Sequence, residues 1–249
     1  MRSISRMSRA AVLLGAAAVL PLALTACSSD DSADGAGTTA TSSTAKTAKT
    51  AKTSKTANPD AGPATGARLK KALAPASFFG AGYTLDKSAA RDTGTTYQEP
   101  SSDPAAVAKP DCAKLGGTSW IAITGDEGVS FAQNDYVNAD STADIAQEID
   151  EFRGTTGTAV MTRLVKAVAA CDTYRDKDTR SDVHVSGTAV AGLGDDAYRI
   201  TLTDMAWDNG TTLIAVRTGT SVVTVMSTDG HDNGAATAGK LAKRVTGSL

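Results

Sequence analysis

Apolar positions fall along the chain in three regimes. From Ala10 to Leu24 they form one run of about 15 residues; between 28 and 66 no side chain is aromatic or a large aliphatic; from Ala67 onward apolar residues recur with a period. The periodic part supplies the elements. Leu69–Leu73 predicts a short helix stopped by Pro75, because a residue before proline is pushed out of the helical region. Phe78, Phe79, Tyr83 and Leu85 cluster ahead of a strand, and Gly94 to Lys109 reads as loop. Val129–Val137 reads as a strand after the turn Gly125-Asp126-Glu127-Gly128.

Two helices are expected next. Ser141 is placed to cap the first, with Asp144 three residues later and Ile145, Ile149 and Phe152 on one face before Gly154. The second spans Thr158 to Thr173 and carries Val160, Leu164, Val168 and Cys171 on one stripe. Period two then takes over. Val183–Val190 reads as a strand; Tyr198, Ile200 and Leu202 alternate with Arg199, Thr201 and Thr203; Leu213–Arg217 and Val222–Met226 follow, separated by tight turns at Asp208-Asn209-Gly210 and Thr218-Gly219-Thr220. A closing helix behind Asp232 or Asn233 puts Ala238, Leu241, Ala242, Val245 and Leu249 on one face. Helices set apart from a run of antiparallel strands define an α+β domain over residues 67–249.

The segment before it carries an address. Arg2, Arg6 and Arg9 precede the apolar run, and Leu24-Thr25-Ala26-Cys27 closes it in the manner of a bacterial lipoprotein lipobox, so residues 1–27 read as a lipoprotein signal peptide. The run is shorter than the roughly 20 residues a spanning helix needs. Acylation of Cys27 attaches the mature chain to the lipid bilayer, and two acyl chains hold where one is marginal. The expected location is the outer face of the cell membrane. Residues 28–66, with Thr-Ala-Lys repeated from Thr44 to Lys52, have too little apolar content to fold and read as a disordered linker. Such a linker averages about 35 Å end to end and spans about 130 Å when fully extended.

Composition narrows the function. Of 249 residues, 25 are Lys or Arg and 27 Asp or Glu, and 45 are Ala, which inflates the hydrophobic fraction of 41% without adding much core. Setting aside the three Arg and four Lys before residue 67 leaves 18 basic residues, and setting aside Asp30, Asp31, Asp34 and Asp60 leaves 23 acidic ones, a net charge of −5 for the domain. That balance argues against a nucleic-acid partner.

Cys27 aside, Cys112 and Cys171 are the remaining thiols, and an even pair outside the membrane predicts a disulfide. Neither belongs to a Cys-x-x-Cys arrangement. Other motifs dissolve on inspection. Gly192-Leu193-Gly194-Asp195-Asp196-Ala197 is followed by a strand instead of the helix a dinucleotide site needs. Asp176, Asp178 and Asp182 have Arg180 in what would be a calcium-ligand position. Arg217-Thr218-Gly219 resembles a penicillin-recognising element, yet the matching Ser-x-x-Lys is Ser43–Lys46, inside the linker. His184 has no recognisable partner, Asn209-Gly210-Thr211 is explained by its turn, and Trp120 and Trp207 read as core or rim anchors ahead of cleft residues. No catalytic set, metal site or cofactor is assigned.

The order of these pieces resembles a family. The Leu69-Lys-Lys-Ala-Leu helix, Pro110-Asp111-Cys112, Ala169-Ala170-Cys171, Gly192-Leu193-Gly194-Asp195 and the strand pair Ile214–Gly219 and Val222–Val225 look like actinobacterial lipoproteins carrying the PknH-like extracellular sensor domain. The resemblance covers residues 68–248 and implies a twisted antiparallel sheet with helices packed on it, a cleft for an extracellular ligand, and sensing or binding without catalysis. The kinase-linked domain has two disulfides where this chain has residues for one. The implied ligand is a small molecule or cell-wall fragment, its residues unknown. The alternative is an interaction module that docks on an envelope protein partner.

Overall fold

The computed structural model describes residues 62–249 except 102, 104–106 and 108. The signal peptide, Cys27, residues 28–61 and the Ser43–Lys46 motif lie outside the described residues. The first residues that are described are already engaged: Tyr97 Oη donates to Pro63 O and Ser130 Oγ to Ala64 O. The helix α1 (Gly66–Ala72) starts at Gly66, where an added Cβ would meet Thr93 and Phe131 backbone atoms within 2.7 Å.

Eight strands form one antiparallel sheet: β1 (Tyr83–Asp92), β2 (Ser130–Asn138), β3 (Asp144–Glu151), β4 (Thr173–Arg175), β5 (Asp182–Ala189), β6 (Asp196–Thr203), β7 (Thr211–Thr218) and β8 (Ser221–Ser227), in the order β1-β2-β3-β8-β7-β6-β5-β4. After β3 the helix α3 (Thr156–Ala169) carries the chain to the far edge, and a meander from β4 to β8 returns it to β3. The domain is α+β, as the alternating patterns from Val183 onward require.

Alternation along the strands divides the core between the two faces of the sheet. Ile214 and Val216 of β7, Val223 and Val225 of β8, and Ile145 and Ile149 of β3 meet α1 and the C-terminal α4 (Ala235–Thr246) through Leu69, Leu241, Ala242 and Val245. Leu213, Ala215, Val222, Ile200 and Leu202 face the other way, against Val160, Met161, Leu164 and Val168 of α3 and the short α2 (Ile121–Thr124). Fully burying each of the Val, Leu, Ile and Met side chains among these is worth about 1.5–3 kcal/mol. Gln147 lies on the first face with no exposure; its Oε1 accepts from Ala74 N (2.9 Å) and its Nε2 donates to Ala74 O (2.7 Å), replacing a strand partner for that backbone.

The structure corrects the reading of residues 141–152. Ser141 does not cap a helix: it sits at φ 57° in the turn between β2 and β3, where Asn138 Oδ1 accepts from Thr142 N and Ala143 N. Asp144–Glu151 is a strand paired to β2 on one side and β8 on the other. A spacing of four puts Ile145 and Ile149 on one face of a helix and on one face of a strand alike. Smaller differences concern helix ends. Cys171 falls two residues beyond α3 yet is buried, Leu249 is exposed beyond α4, and the cap residue of α4 is Gly234 at φ 79°, with Asp232 Oδ2 accepting from Ala236 N (2.8 Å). No described helix is long and apolar enough to cross a membrane.

Candidate functional site

The second face of the sheet is unevenly covered. Helix α3 packs on β5, β6 and β7, whereas over β1, β2 and β3 the cover comes from the segment between β1 and β2. Strand register sets the floor of the space left there. Arg91 of β1 pairs with Gln133 of β2, Gln133 with Glu148 of β3, and Glu148 with Thr224 of β8, so these four residues form one row across the sheet. The neighbouring row on the same face brings Phe131 opposite Asp150. Polar side chains thus occupy, on this half, the face that β7 fills with Leu213 and Ala215.

The wall is built by residues 111–128. Asp111 accepts from Ala113 N (3.2 Å) and opens a 3₁₀ turn, Cys112–Gly116, whose Leu115 is fully buried. Cys112 is bonded to Cys171, with Cα atoms 5.6 Å apart, which fixes the wall to the end of α3. Trp120 is 2% exposed and its Nε1 donates to Thr224 Oγ1 (2.7 Å), at the end of the polar row. Gly125 ends α2 in the left-handed region (φ 74°), and Asp126 behind it is ion-paired to Arg163 of α3.

Floor and wall enclose a cavity of about 180 Å³ lined by Arg91, Trp120, Phe131, Glu148, Asp150 and Phe152, with Gln98, Ser119 and Glu127 at its sides. Its electrostatics are out of balance. Glu148 is 4% exposed, and its Oε2 accepts from Thr118 Oγ1 (2.6 Å); burial raises its pKa. Burial and then the charge of Glu148 push Asp150 well above the ordinary carboxylate range. Asp135, one row along on the same face, is pushed up to about 6 by burial, against a hydrogen bond from Gln133 Nε2 (3.2 Å). Arg91 Nε donates to Gln133 Oε1 (2.9 Å) and its guanidinium lies 5.8 Å from the Phe131 ring centre. Among the described residues Arg91 makes no ion pair with any of these carboxylates.

Of the features singled out in the sequence, Trp120, Asp111, Cys112 and the turn Gly125–Gly128 belong to the wall, Trp120 as a buried anchor, and the other motifs lie elsewhere. Gly192 and Gly194 (φ 74° and 61°) form the turn between β5 and β6. Asp176 Oδ1 accepts from the backbone of Asp178 and Thr179 in the β4–β5 turn, where Arg175 pairs with Asp182 at 3.1 Å. Arg217 pairs with Asp195 at 3.0 Å, and His184 is exposed on β5. No group of metal-binding side chains occurs among the described residues. Sequence reasoning missed Arg91, Gln133, Asp135, Glu148 and Asp150. The signal was present: Ala146, Glu148 and Asp150 alternate with Ile145, Gln147 and Ile149, as a strand between two different surroundings requires.

Sheet order, two-sided helical cover and a cleft over β1–β3 place the domain in the α+β class built on one antiparallel sheet. Among solved structures it is similar to the crystal structure of the extracellular domain of PknH from Mycobacterium tuberculosis, with 13% sequence identity and a TM-score of 0.54 over 75% of this chain and 96% of that one. No protein-family model and no curated protein matches the sequence.

Proposed function

We propose that the chain is an extracytoplasmic, lipid-anchored, non-enzymatic protein whose domain binds a small molecule or a cell-envelope fragment in the cleft over β1–β3. One observation carries the reading: a concave site over β1–β3 with a polar floor, where Glu148 is buried and Asp150 half-buried and neither makes an ion pair among the described residues. The shared fold with an extracellular domain supports the location, and the Leu24–Cys27 lipobox supports the anchor. The alternative of a protein-docking module has less behind it. Phe78, Leu85, Tyr97, Ile121, Val165, Met205 and Leu249, the large apolar side chains most exposed, come one each from separate segments.

Native mass spectrometry of the protein incubated with an envelope extract tests binding. A small added mass that is lost on denaturation, and weakened when Phe131 is replaced by Ala, is expected; a retained protein of defined mass would favour docking. Intact mass of the membrane-extracted protein tests the anchor. The expected species begins at Cys27 with a diacylglyceryl addition, and a chain that begins elsewhere would overturn lipidation.

A further inference from the structure

The two faces of the sheet differ in charge. On the face away from the cleft, α1 presents Arg68, Lys70 and Lys71 to solvent while Gly66, Leu69 and Ala72 are buried. On the same face α4 presents Lys240, Lys243 and Arg244 while Ala238, Leu241, Ala242 and Val245 are buried. Neither helix contains an acidic residue. Arg199 of β6 pairs in register with Ile214 of β7, so it points to this side too, and it is exposed. The strands place three carboxylates here, and each is engaged: Asp92 with Lys70, Asp182 with Arg175, and the buried Glu151 with the hydroxyls of Thr220 and Ser221. At the start of α4, Asp229 accepts from Thr237 Oγ1 and Asp232 from Ala236 N. Arg68, Lys71, Arg199, Lys240 and Lys243 make no ion pair among the described residues. These seven cations are part of 18 basic residues in the domain, so 11 are left for the remaining surface against 23 acidic ones.

We propose that this face is a membrane-docking surface: α1, α4 and Arg199 lie against anionic lipid head groups, which turns the cleft over β1–β3 away from the bilayer. The inference rests on the lipid-anchored reading above, which brings the domain to a membrane, and adds how the domain sits there. Two observations carry it. One is charge complementarity, a basic face on an acidic domain. The other is where the chain enters: residues 62–65 lead directly into α1, and the Lys46–Lys55 stretch before them has four Lys and no acid. The cations are spread over α1 above β1 and β2, α4 above β8 and β7, and β6 beyond, a breadth that suits a lipid surface. Each Lys or Arg brought near an anionic bilayer strengthens partition by about fivefold, within a Debye length of about 8 Å. Both helices keep their apolar sides on the sheet, so the contact is electrostatic and reversible.

Vesicle flotation of the full mature chain carrying Cys27→Ser, which no acyl group can hold to lipid, tests the surface alone. The chain is expected to float with phosphatidylcholine vesicles in which a third of the lipid is phosphatidylglycerol, to stay behind with phosphatidylcholine alone, and to be released as salt is raised. Replacing Lys240 and Lys243 by Glu should weaken the partition at least about tenfold. Replacing Lys114 and Lys166, exposed on the cleft side, by Glu makes the same change in net charge and should move it by less than about twofold. Equal loss in the two pairs would mean that net charge and not this face is read, and would overturn the proposal. Loss only on reversing Lys46, Lys49, Lys52 and Lys55 would overturn it in favour of the linker. Stronger retention by cell-wall sacculi than by the anionic vesicles would assign the face to the wall instead. If the native protein proves to be acylated at Cys27 while the unacylated chain ignores anionic vesicles, the anchor stands and the docking surface fails. If Cys27 is not acylated and the chain still floats, the anchor fails and the surface stands.

Discussion

Replacing Asp135 by Asn should stabilise the protein, and by an amount that depends on pH in one direction. The carboxyl is half-buried on β2, with Asp86 and Asp144 raising its pKa further and Arg91 lowering it, and the balance moves it from 3.8 to about 6. A group whose pKa is raised on folding binds its proton more tightly in the native state, so folding is favoured below pH 3.8 and loses ground as pH rises through 6. The shift corresponds to about 3 kcal/mol above that range, trimmed to about 2 kcal/mol by the water that reaches a half-buried group. Asn keeps the shape and still accepts the hydrogen bond from Gln133 Nε2. Urea unfolding of the two proteins from pH 3.5 to 8 is the assay. Their stabilities should coincide near the acid end, separate between pH 4 and 6, and differ by about 2 kcal/mol at pH 7.5. Equal stability at pH 7.5, or a gap that does not change with pH, would refute burial as the origin of the shift.

Three further perturbations probe the frame. Replacing Cys112 and Cys171 by Ser should cost up to about 4 kcal/mol, the chain-entropy value for a link across 59 residues, and should change Trp120 emission as the wall loosens; two free thiols in the denatured, unreduced wild type would rule the link out. Gln147→Leu strands Ala74 N on the α1 face, Ala74 O keeping the hydrogen bond from Tyr136 Oη, and should lower stability by about 1–3 kcal/mol in chemical denaturation, whereas a loss below about 0.5 kcal/mol would mean that water replaces the clamp. Gly234→Ala forces a Cβ within 2.0 Å of Ser227 O at φ 79° and should lower the melting temperature by more than Gly219→Ala, a turn position at φ 60° with open space around it.

The strands from β5 to β8 were legible because β6 alternates against an apolar layer, as Tyr198, Ile200 and Leu202 do, because β7 and β8 are short apolar, β-branched runs buried on both faces, and because Gly219 marks the hairpin between them. β3 was not. Ala146, Gln147, Glu148 and Glu151 are good helix formers, and only the pairing to β2 and β8, which lie far apart in sequence, makes the segment extended. The same misreading hid the cleft. A helix over this segment scatters Ala146, Glu148 and Asp150, which the strand brings to one face, and their meeting with Arg91 depends on a register no local pattern specifies. The disulfide was legible once the lipobox reading set Cys27 aside, because the two remaining thiols admit one pairing.

The insertion of β8 between β3 and β7 has a consequence for how the chain comes to be folded. Until Ser221–Ser227 is available, β1–β3 and β4–β7 are two separate ladders, each ending in an open edge, and neither α4 nor Val223 and Val225 is present to close the first core. The native sheet therefore waits on β8, and the long-range pairing of β3 with β8 makes its assembly a late event. Loss of β8 and α4 would then leave the ladder edges at β3 and β7 open, and these edges would be where such a fragment first sticks to its neighbours.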